Sequence, residues 1–227
     1  MLRILRKCGF ENSESFATST GIFVSAVTKD SDVVTMIKRV KTRSNNLQKI
    51  ASVNEISRHF TEGKLNVAEA FEKLEKIRDM PPYPTWVKVT GAAAIGFCFT
   101  AMLGGNLEDS LNAFVSASLM QIIFLLLEKH GVAAVLRNIC GGASAALFAI
   151  ILLNLGIGRN IDPIIIGSIM PLVPGLILTN AIRDILEGDF LSGSARILDA
   201  VLVAVAIATG VGISMNLWYR FIGGIAL

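Results

Sequence analysis

The residues best suited to chemistry lie where two prolines and a glycine interrupt the fourth of five apolar stretches. Pro171 and Pro174 lack an amide hydrogen. In a regular helix they would leave the carbonyls of Gly167 and Met170 without donors. An unpaired carbonyl in hydrocarbon is costly and needs another partner or a watery cavity. With the backbone freedom of Gly175, this pattern predicts a solute-binding site near the membrane midplane. A plain proline kink, repaired by neighbouring helices, is the alternative.

Four polar residues follow the break: Thr179, Asn180, Arg183 and Asp184. At helical spacing Asn180 shares a face with Arg183 and Asp184, and Thr179 lies over Arg183. The guanidinium of Arg183 could bind a carboxylate through two hydrogen bonds. Thr179 and Asn180 could bond a hydroxyl or amino group, and Asp184 could take a proton or pair with a substrate ammonium. Equally, Arg183 and Asp184 could simply end a helix at the cytosolic interface.

The residues after this segment are predicted to lead into the last helix. Asp189, Ser192 and Ser194 suit a turn and a helix N-cap, and Asp199 is expected to pair with Arg196. Other polar residues in the apolar stretches are more typical of hydrogen bonds between helices than of ligands. They are Asn112, Ser116, Ser118, Gln121, Asn138, Ser144, Asn154 and Ser168.

The sequence contains no recognisable catalytic or metal-binding constellation. His59 and His130 are isolated, only three cysteines occur, and phosphate-loop, triad and zinc spacings are absent. We therefore predict no enzyme activity, no metal and no cofactor. A membrane hydrolase is the weakest alternative, since no general base is recognisable beside a nucleophile. The candidate nucleophiles would be Ser15, Thr18, Ser19 and Thr20.

The composition divides the chain into a charged first third and an apolar remainder. Of the 227 residues, 52% are hydrophobic, above the roughly 45–50% usual in soluble domains. Up to Lys88 the chain carries 15 Lys/Arg and 10 Asp/Glu, whereas the remaining 139 residues carry 6 and 8. The net charge of +3 does not indicate nucleic acid. The basic run at 38–43 is more typical of a solvated face near a membrane than of an anion or lipid patch.

The charged part predicts an α+β domain over residues 1–80. Ser15–Thr28 and Asp32–Lys41 are rich in β-branched residues and predict a β-hairpin around a turn at 29–31. Asn45–Phe60 has helical spacing. A second helix should begin after Asn66 as its N-cap and run to about residue 80.

A proline-rich interfacial linker is predicted at 81–86, followed by a transmembrane domain at 87–227. The linker carries Tyr83 and Trp86, aromatic residues of the kind found at membrane interfaces. Five apolar stretches then predict a five-helix bundle, of which the second and fourth are short for a span. These are Thr85–Leu103, Leu111–Leu127, Ala133–Leu155, Pro163–Leu178 and Ile197–Leu217. The predicted fold class is therefore a mostly α membrane protein with a cytosolic α+β domain and a Pro-broken fourth helix.

The distribution of basic residues predicts the orientation. The N-terminus has no apolar run long enough for a signal peptide, so the basic N-terminal part should stay in the cytoplasm. Alternation then places the loops with Lys129 and Arg183 inside as well. The C-terminus, with Trp218 and Tyr219 as interfacial anchors, should lie outside the cytoplasmic membrane.

The run MPLVPGLILTNAIRDILEGDFLSGSARIL (170–198) resembles the signature of the threonine/serine exporter family, in the class with five helices per half. TSTGIFVSAV, the two predicted helices and the PPYPTW linker resemble that family's cytosolic portion in the same order. The resemblance covers nearly the whole chain. The motif positions that it carries over are Pro171, Pro174, Gly175, Thr179, Asn180, Arg183, Asp184, Gly188, Asp189, Ser192, Gly193 and Arg196.

The resemblance implies export of small amino acids or short dicarboxylates such as succinate, driven by the proton gradient. The chain resembles the larger subunit of the two-protein type, which works with a second, smaller membrane protein. The sequence departs from the family at its start, where only RILRKCGF remains of a leading helix. The hairpin would then lack a cover on one face, and an uncovered hairpin is only marginally stable.

The leading prediction is thus a subunit of a proton-coupled secondary exporter for small carboxylate-bearing solutes. On this hypothesis Pro171, Pro174, Gly175, Thr179, Asn180 and Arg183 bind substrate, and Asp184 couples to protons. Gly188, Asp189, Ser192, Gly193 and Arg196 form a structural motif. The alternative is a structural or regulatory membrane subunit whose partner carries the transport site. The choice of substrate and the oligomeric state, including self-association, stay open.

Overall fold

The computed structural model describes residues 1–10, 12–18, 20–28, 32–40 and 46–222. The chain divides into two compact units. Unit 1 comprises Met1–Pro82 with Phe190–Ser192, and unit 2 comprises Tyr83–Asp189 with Gly193–Leu227.

Unit 1 contains a three-stranded antiparallel sheet in the order β1-β2-β3. The strands are β1 Ser13–Ala17, β2 Gly21–Val27 and β3 Val33–Arg39. The predicted hairpin is therefore wrong in one respect: its first strand is two strands. The turn between them forms because the Thr18 hydroxyl accepts a hydrogen bond from Gly21 N at 3.1 Å, while Thr18 N donates to Gly21 O at 2.8 Å. The predicted turn at 29–31 lies outside the described residues.

The helices of unit 1 are α1 Leu2–Lys7, α2 Leu47–Thr61 and α3 Val67–Arg78. The predicted N-cap at Asn66 is confirmed, and it forms a reciprocal capping box with Glu69. Asn46 caps α2 by accepting from Lys49 N at 3.0 Å; Asn45, where the prediction began this helix, lies outside the described residues. Apolar side chains one or two turns apart on each helix form the core between the helices. They are Ile56, Phe60, Ala70 and Ile77, with Ile4 and Leu65 packed against them.

Unit 2 is helical. Its elements are α4 Thr85–Met102, α5 Leu107–Lys129, α6 Ala134–Asn154, α7 Ile161–Ile169, a 3-10 turn at Met170–Leu172, α8 Gly175–Leu186 and, from Gly193 onward, α9 Phe190–Ile222. By length and composition, α4, α5, α6 and α9 could each cross a membrane, and the bent pair α7–α8 could form a fifth span. The short second stretch predicted at Leu111–Leu127 is longer in the structure. Asn106 and Asp109 close a capping box that starts α5 at Leu107, giving a helix of 23 residues.

Small residues set the close approach of the helices in unit 2. A Cβ added at Gly96 would lie 2.8 Å from Ala113 O, and one at Gly167 would meet the Thr100 hydroxyl. These contacts join α5 and α7 to α4. Because lipid offers no hydrophobic drive between helices, such close backbone packing supplies dispersion energy in its place.

Helices α6 and α9 pack through a second pair of glycines. A Cβ at Gly142 would collide with Ile207 O, and a Cβ at Gly210 would collide with Ile139 O. Both obstacles are backbone atoms, which cannot rotate away as a flexible side chain could. Gly212, two residues further along α9, faces open space.

Gly210→Ala is therefore expected to destabilise unit 2 by about 1–3 kcal/mol through overpacking. Gly212→Ala is the matched control, with the same change on the same helix and an expected effect near zero. Denaturation of both purified proteins in mixed detergent–SDS micelles measures the difference. Equal free energies of unfolding for the two variants would contradict this packing.

A buried carboxylate fixes the loop that leads into α7. Asp109, fully buried near the start of α5, accepts hydrogen bonds from Arg159 N at 2.6 Å and Asn160 N at 3.1 Å. The Asn160 side-chain amide donates to the same carboxylate at 3.0 Å. One turn along α5, the Asn112 amide donates to Ile157 O at 2.8 Å. Four hydrogen bonds thus hold the start of the broken segment against α5.

Candidate functional site

The fourth apolar segment is broken, as predicted. Helix α7 ends at Ile169, the 3-10 turn carries Pro171, and α8 begins at Gly175 after Pro174. The axes of the two halves differ by 65°. A helix ladder cannot continue through two residues without amide hydrogens only three positions apart, which accounts for the position of the break.

The carbonyls of Gly167 and Met170 are not left free, contrary to what a regular helix with these prolines would give. Met170 N donates to Gly167 O, and Val173 N donates to Met170 O at 3.1 Å. Gly175 N donates to Val173 O at 2.8 Å. A 3-10 turn therefore pairs the carbonyls of Gly167 and Met170, and a γ-turn at Pro174 pairs that of Val173. Free backbone amides lie on the other side of the break. Within the described residues the amides of Leu176 and Ile177 have no acceptor, as is usual for a first helical turn.

Helix α8 presents the predicted polar residues on one exposed face. Thr179 and Asn180 are exposed, and the Thr179 hydroxyl donates to Gly175 O at 2.9 Å. Arg183 is also exposed and forms no ion pair with any residue that the structure describes. Thr179, Asn180 and Arg183 therefore lie on the same exposed face of α8. The guanidinium of Arg183 is not paired with a carboxylate of the described residues.

Asp184 turns toward α9. Its Oδ2 lies 3.2 Å from Arg196 Nη1, and the Asp184 side chain is 18% exposed. The two atoms are at ion-pair distance, but their geometry is not that of a hydrogen bond, so Oδ2 is buried without a hydrogen-bond donor. The carboxylate of Asp184 thus links α8 to α9 through an ion pair with Arg196.

The residues of the predicted structural motif connect α8 to α9. Gly188 ends α8 with φ at +91°, a conformation that side-chain-bearing residues rarely adopt. Asp189 N donates to Asp184 O at 2.8 Å, and a Cβ at Gly193 would lie 2.9 Å from Ala181 O. Ser192 is buried in unit 1, where its hydroxyl donates to Ala17 O at 3.3 Å.

Most polar side chains inside the apolar helices already form hydrogen bonds within the protein. The hydroxyls of Ser118, Ser144 and Ser168 donate to carbonyls of their own helices. Only some polar contacts cross between helices, among them Asn112 to Ala149 O at 3.1 Å and Thr100 to Pro163 O at 3.2 Å. Gln121 differs, since its amide forms no hydrogen bond with the described residues.

An open groove of about 330 Å³ lies beside the break and was not predicted as a site. Pro171 borders it together with the side chains of Tyr83, Lys88 and Gln121. The remaining lining residues are Val87, Gly91, Ala92 and Ile95. The sequence signal was available: Lys88 is the single charged residue of α4, within the first apolar stretch.

Arg137 is a second cation near the break, and it was not predicted as a site residue. It lies in the first turn of α6, 4.9 Å above the Phe124 ring and 3.6 Å from Glu128. Phe124 in turn lies beside the Gly141 position that Leu172 contacts. The Phe124 ring and the Glu128 carboxylate both stabilise the positive charge of Arg137. The buried Nε of Arg137 has no hydrogen-bond partner in the described chain.

No cluster of three or more His, Cys, Asp or Glu residues within the described ranges could hold a metal ion.

Four apolar helices of membrane-spanning length and a fifth, broken segment define a multi-pass membrane protein. The chain belongs to the threonine/serine exporter family. The family model described as "Putative threonine/serine exporter" matches residues 1–218.

Three relatives show the range of this family. The chain is 28% identical over 201 residues to a "Probable threonine/serine exporter" of Mycobacterium tuberculosis, covering 88% of this chain and 38% of the relative. It is 30% identical over 177 residues to the "Threonine/serine exporter" of Corynebacterium glutamicum, covering 76% and 36%. It is 27% identical over 222 residues to the "Probable succinate transporter subunit YjjP" of Escherichia coli, covering 95% and 84%.

The chain thus spans under two-fifths of the length of the two exporters but most of the length of the transporter subunit. These relatives are named as transporters rather than as enzymes. No solved structure matches the chain.

Proposed function

We propose that this chain is a subunit of a secondary exporter that moves small carboxylate-bearing solutes out across the cytoplasmic membrane. The solutes are threonine and serine or a dicarboxylate such as succinate. The observation that carries the proposal is the 65° break inside an apolar helical segment, since discontinuous helices form solute sites in secondary transporters. The names of the relatives support the same class of substrate.

The substrate carboxylate meets the positive end of α8. The unpaired amides of Leu176 and Ile177 and the helix dipole favour an anion at this end. Pro171, Pro174 and Gly175 keep this end open. Further along the same helix, the exposed guanidinium of Arg183 adds a planar pair of donors, and Thr179 and Asn180 offer polar contacts to the rest of the solute.

Proton coupling is assigned to the ion pair between Asp184 and Arg196. Protonation of Asp184 removes one of the two charges that lie 3.2 Å apart. The link between α8 and α9 then weakens, and α8 is free to move relative to α9. Export that continues at full rate after the proton gradient is collapsed would contradict this part of the proposal.

The N-terminus lies in the cytoplasm and the C-terminus outside, with a second, smaller membrane subunit of the same family as partner. The basic N-terminal third supports this orientation through the positive-inside rule. The likeness to a protein named as a transporter subunit supports the partner. Cysteine labelling from outside intact cells, which should modify a cysteine introduced near residue 218 but none near residue 60, tests the orientation.

Arg183→Ala is expected to reduce export of the carboxylate solute to the background of cells without the chain, at unchanged membrane abundance. The reason is the loss of a charged hydrogen-bond donor for the solute. Arg220→Ala, at the exposed end of α9, is the control and should export normally. Efflux from preloaded cells, normalised to immunoblots of the membrane fraction, is the measurement. Normal efflux from Arg183→Ala would refute the role of this residue.

A structural or regulatory role is the second candidate, favoured by the match along 84% of a relative named as a subunit. In that case the partner carries the transport site. Reconstituting this chain into vesicles alone, with the partner, and with the partner plus the Arg183→Ala change separates the two. Full transport by the partner alone would assign the site to the partner.

A further inference from the structure

We infer that Lys88 is a carboxylate-binding residue in the groove beside the break, with Gln121 and Tyr83 as further contacts. The inference rests on the proposed function, because it adds a second position, besides the end of α8, at which the carboxylate of the transported solute binds during export. It differs from the site on α8, since the groove is bordered by α4, α5 and the 3-10 turn.

The first argument is the position of a charge that has no partner. Lys88 lies one turn into α4 and is half-buried. Within the described chain it forms neither a salt bridge nor a hydrogen bond. An ionisable residue within a membrane span is costly unless it is paired or faces a watery cavity, and it is therefore a functional-site candidate. The open groove beside Lys88 leaves room for such a partner.

The second argument is that the other polar groups of the groove also lack hydrogen-bond partners. The Gln121 amide and the Tyr83 hydroxyl have no hydrogen-bond partner among the residues the structure describes. Six of the eight polar residues first assigned to helix contacts do have such bonds. The residues that border this groove carry a positive charge, an amide and a hydroxyl. This set matches a carboxylate together with a hydroxyl or amino group.

The third argument is depth. Gln121 lies eight residues before the end of α5, which at 1.5 Å per residue is about 12 Å into the helix. Pro171, in the middle of the broken segment, borders the same groove. A lipid phosphate at the headgroup level would reach Lys88 but not the amide of Gln121. The groove therefore favours a small solute over a lipid headgroup.

The test compares Lys88→Gln, Lys88→Arg and the control Lys129→Gln, which removes the same charge from the exposed end of α5. The full chain with its partner is placed in nanodiscs of uncharged lipid and, in a second series, in nanodiscs that contain anionic lipid. Calorimetry then measures the affinity for threonine and succinate and for the corresponding carboxamides. Efflux from cells is measured in parallel.

We expect Lys88→Gln to weaken binding of the carboxylates about tenfold or more, as for loss of a hydrogen bond to a charged group. Lys88→Arg should retain much of the affinity, and Lys129→Gln should bind as the unaltered chain does. Carboxamide binding should be unchanged by Lys88→Gln, so the preference for the carboxylate collapses. This preference separates a contact with the solute from general damage to the fold.

Any of four outcomes would overturn the inference. Lys88→Gln could bind carboxylates with unchanged affinity, or lose equal affinity for carboxylates and carboxamides. Alternatively, the unaltered protein binds no solute, or binding depends on Lys88 only when anionic lipid is present. The last result would assign the lysine to a headgroup. If binding depends on Lys88 but the unaltered protein exports nothing, the groove inference stands and the proposed export function falls.

Discussion

Asp109→Ala should destabilise unit 2 by about 3 kcal/mol or more, the largest stability effect that we expect in this protein. The carboxylate is fully buried and accepts from the backbone amides of Arg159 and Asn160 and from the Asn160 side chain. It also accepts from Asn106 N at 3.1 Å in the capping box that starts α5. Alanine would leave these donors without an acceptor in a buried place, and each would bear its full desolvation cost.

Glu108→Ala is the control for this prediction. Glu108 is the neighbouring carboxylate, but it is exposed and contacts the exposed Arg159 side chain at 3.2 Å. Such a surface pair contributes at most about 1 kcal/mol. Denaturation in mixed detergent–SDS micelles should therefore separate the two variants clearly. If Asp109→Ala is as stable as Glu108→Ala, the carboxylate does not hold the loop before α7.

Pro171→Ala combined with Pro174→Ala should abolish export while leaving the protein folded, the largest functional effect that we expect. With both amide hydrogens restored, residue 171 can donate to Gly167 O and residue 174 to Met170 O, as in a regular helix. The 65° bend would lessen, and the free first turn of α8 would disappear into a continuous helix. Efflux from loaded cells should fall to background.

Pro163→Ala is the matched control for the double variant. Pro163 lies in the first turn of α7, where its missing amide hydrogen deprives no carbonyl of a donor. It should export normally at normal abundance. Distances between spin labels on α7 and α8 would report the straightening directly. A straight helix with normal efflux would contradict the role of the break, and a helix that stays bent would show that packing rather than proline sets the angle.

Much of the architecture could be predicted because its signals are local. The five apolar stretches, the N-cap at Asn66 and the break between Pro171 and Gly175 each depend on residue types within a few positions. The sheet shows where local signals fail. The run from Ser15 to Thr28 is rich enough in β-branched and aromatic residues to predict one strand. The Thr18 hydroxyl nevertheless accepts a hydrogen bond from Gly21 N, and the chain turns between β1 and β2.

The candidate site was predictable on α8 and not on α4 and α5. Thr179, Asn180 and Arg183 share a face at helical spacing, so the sequence alone placed them together. Lys88 and Gln121 are 33 positions apart, and nothing in their spacing brings them to the same groove. The pairing of Asp184 with Arg196 likewise depends on how α8 packs against α9.

The sequence by itself determined that the chain enters a membrane, which stretches form the apolar helices, and where one of them must break, because apolar length and imino acids act on the local backbone. Only the tertiary structure decided which polar groups are left without a hydrogen-bond or ion-pair partner. Hydrogen bonds and ion pairs between distant residues depend on the approach of whole helices. That approach is set by backbone contacts at Gly96, Gly142, Gly167 and Gly210.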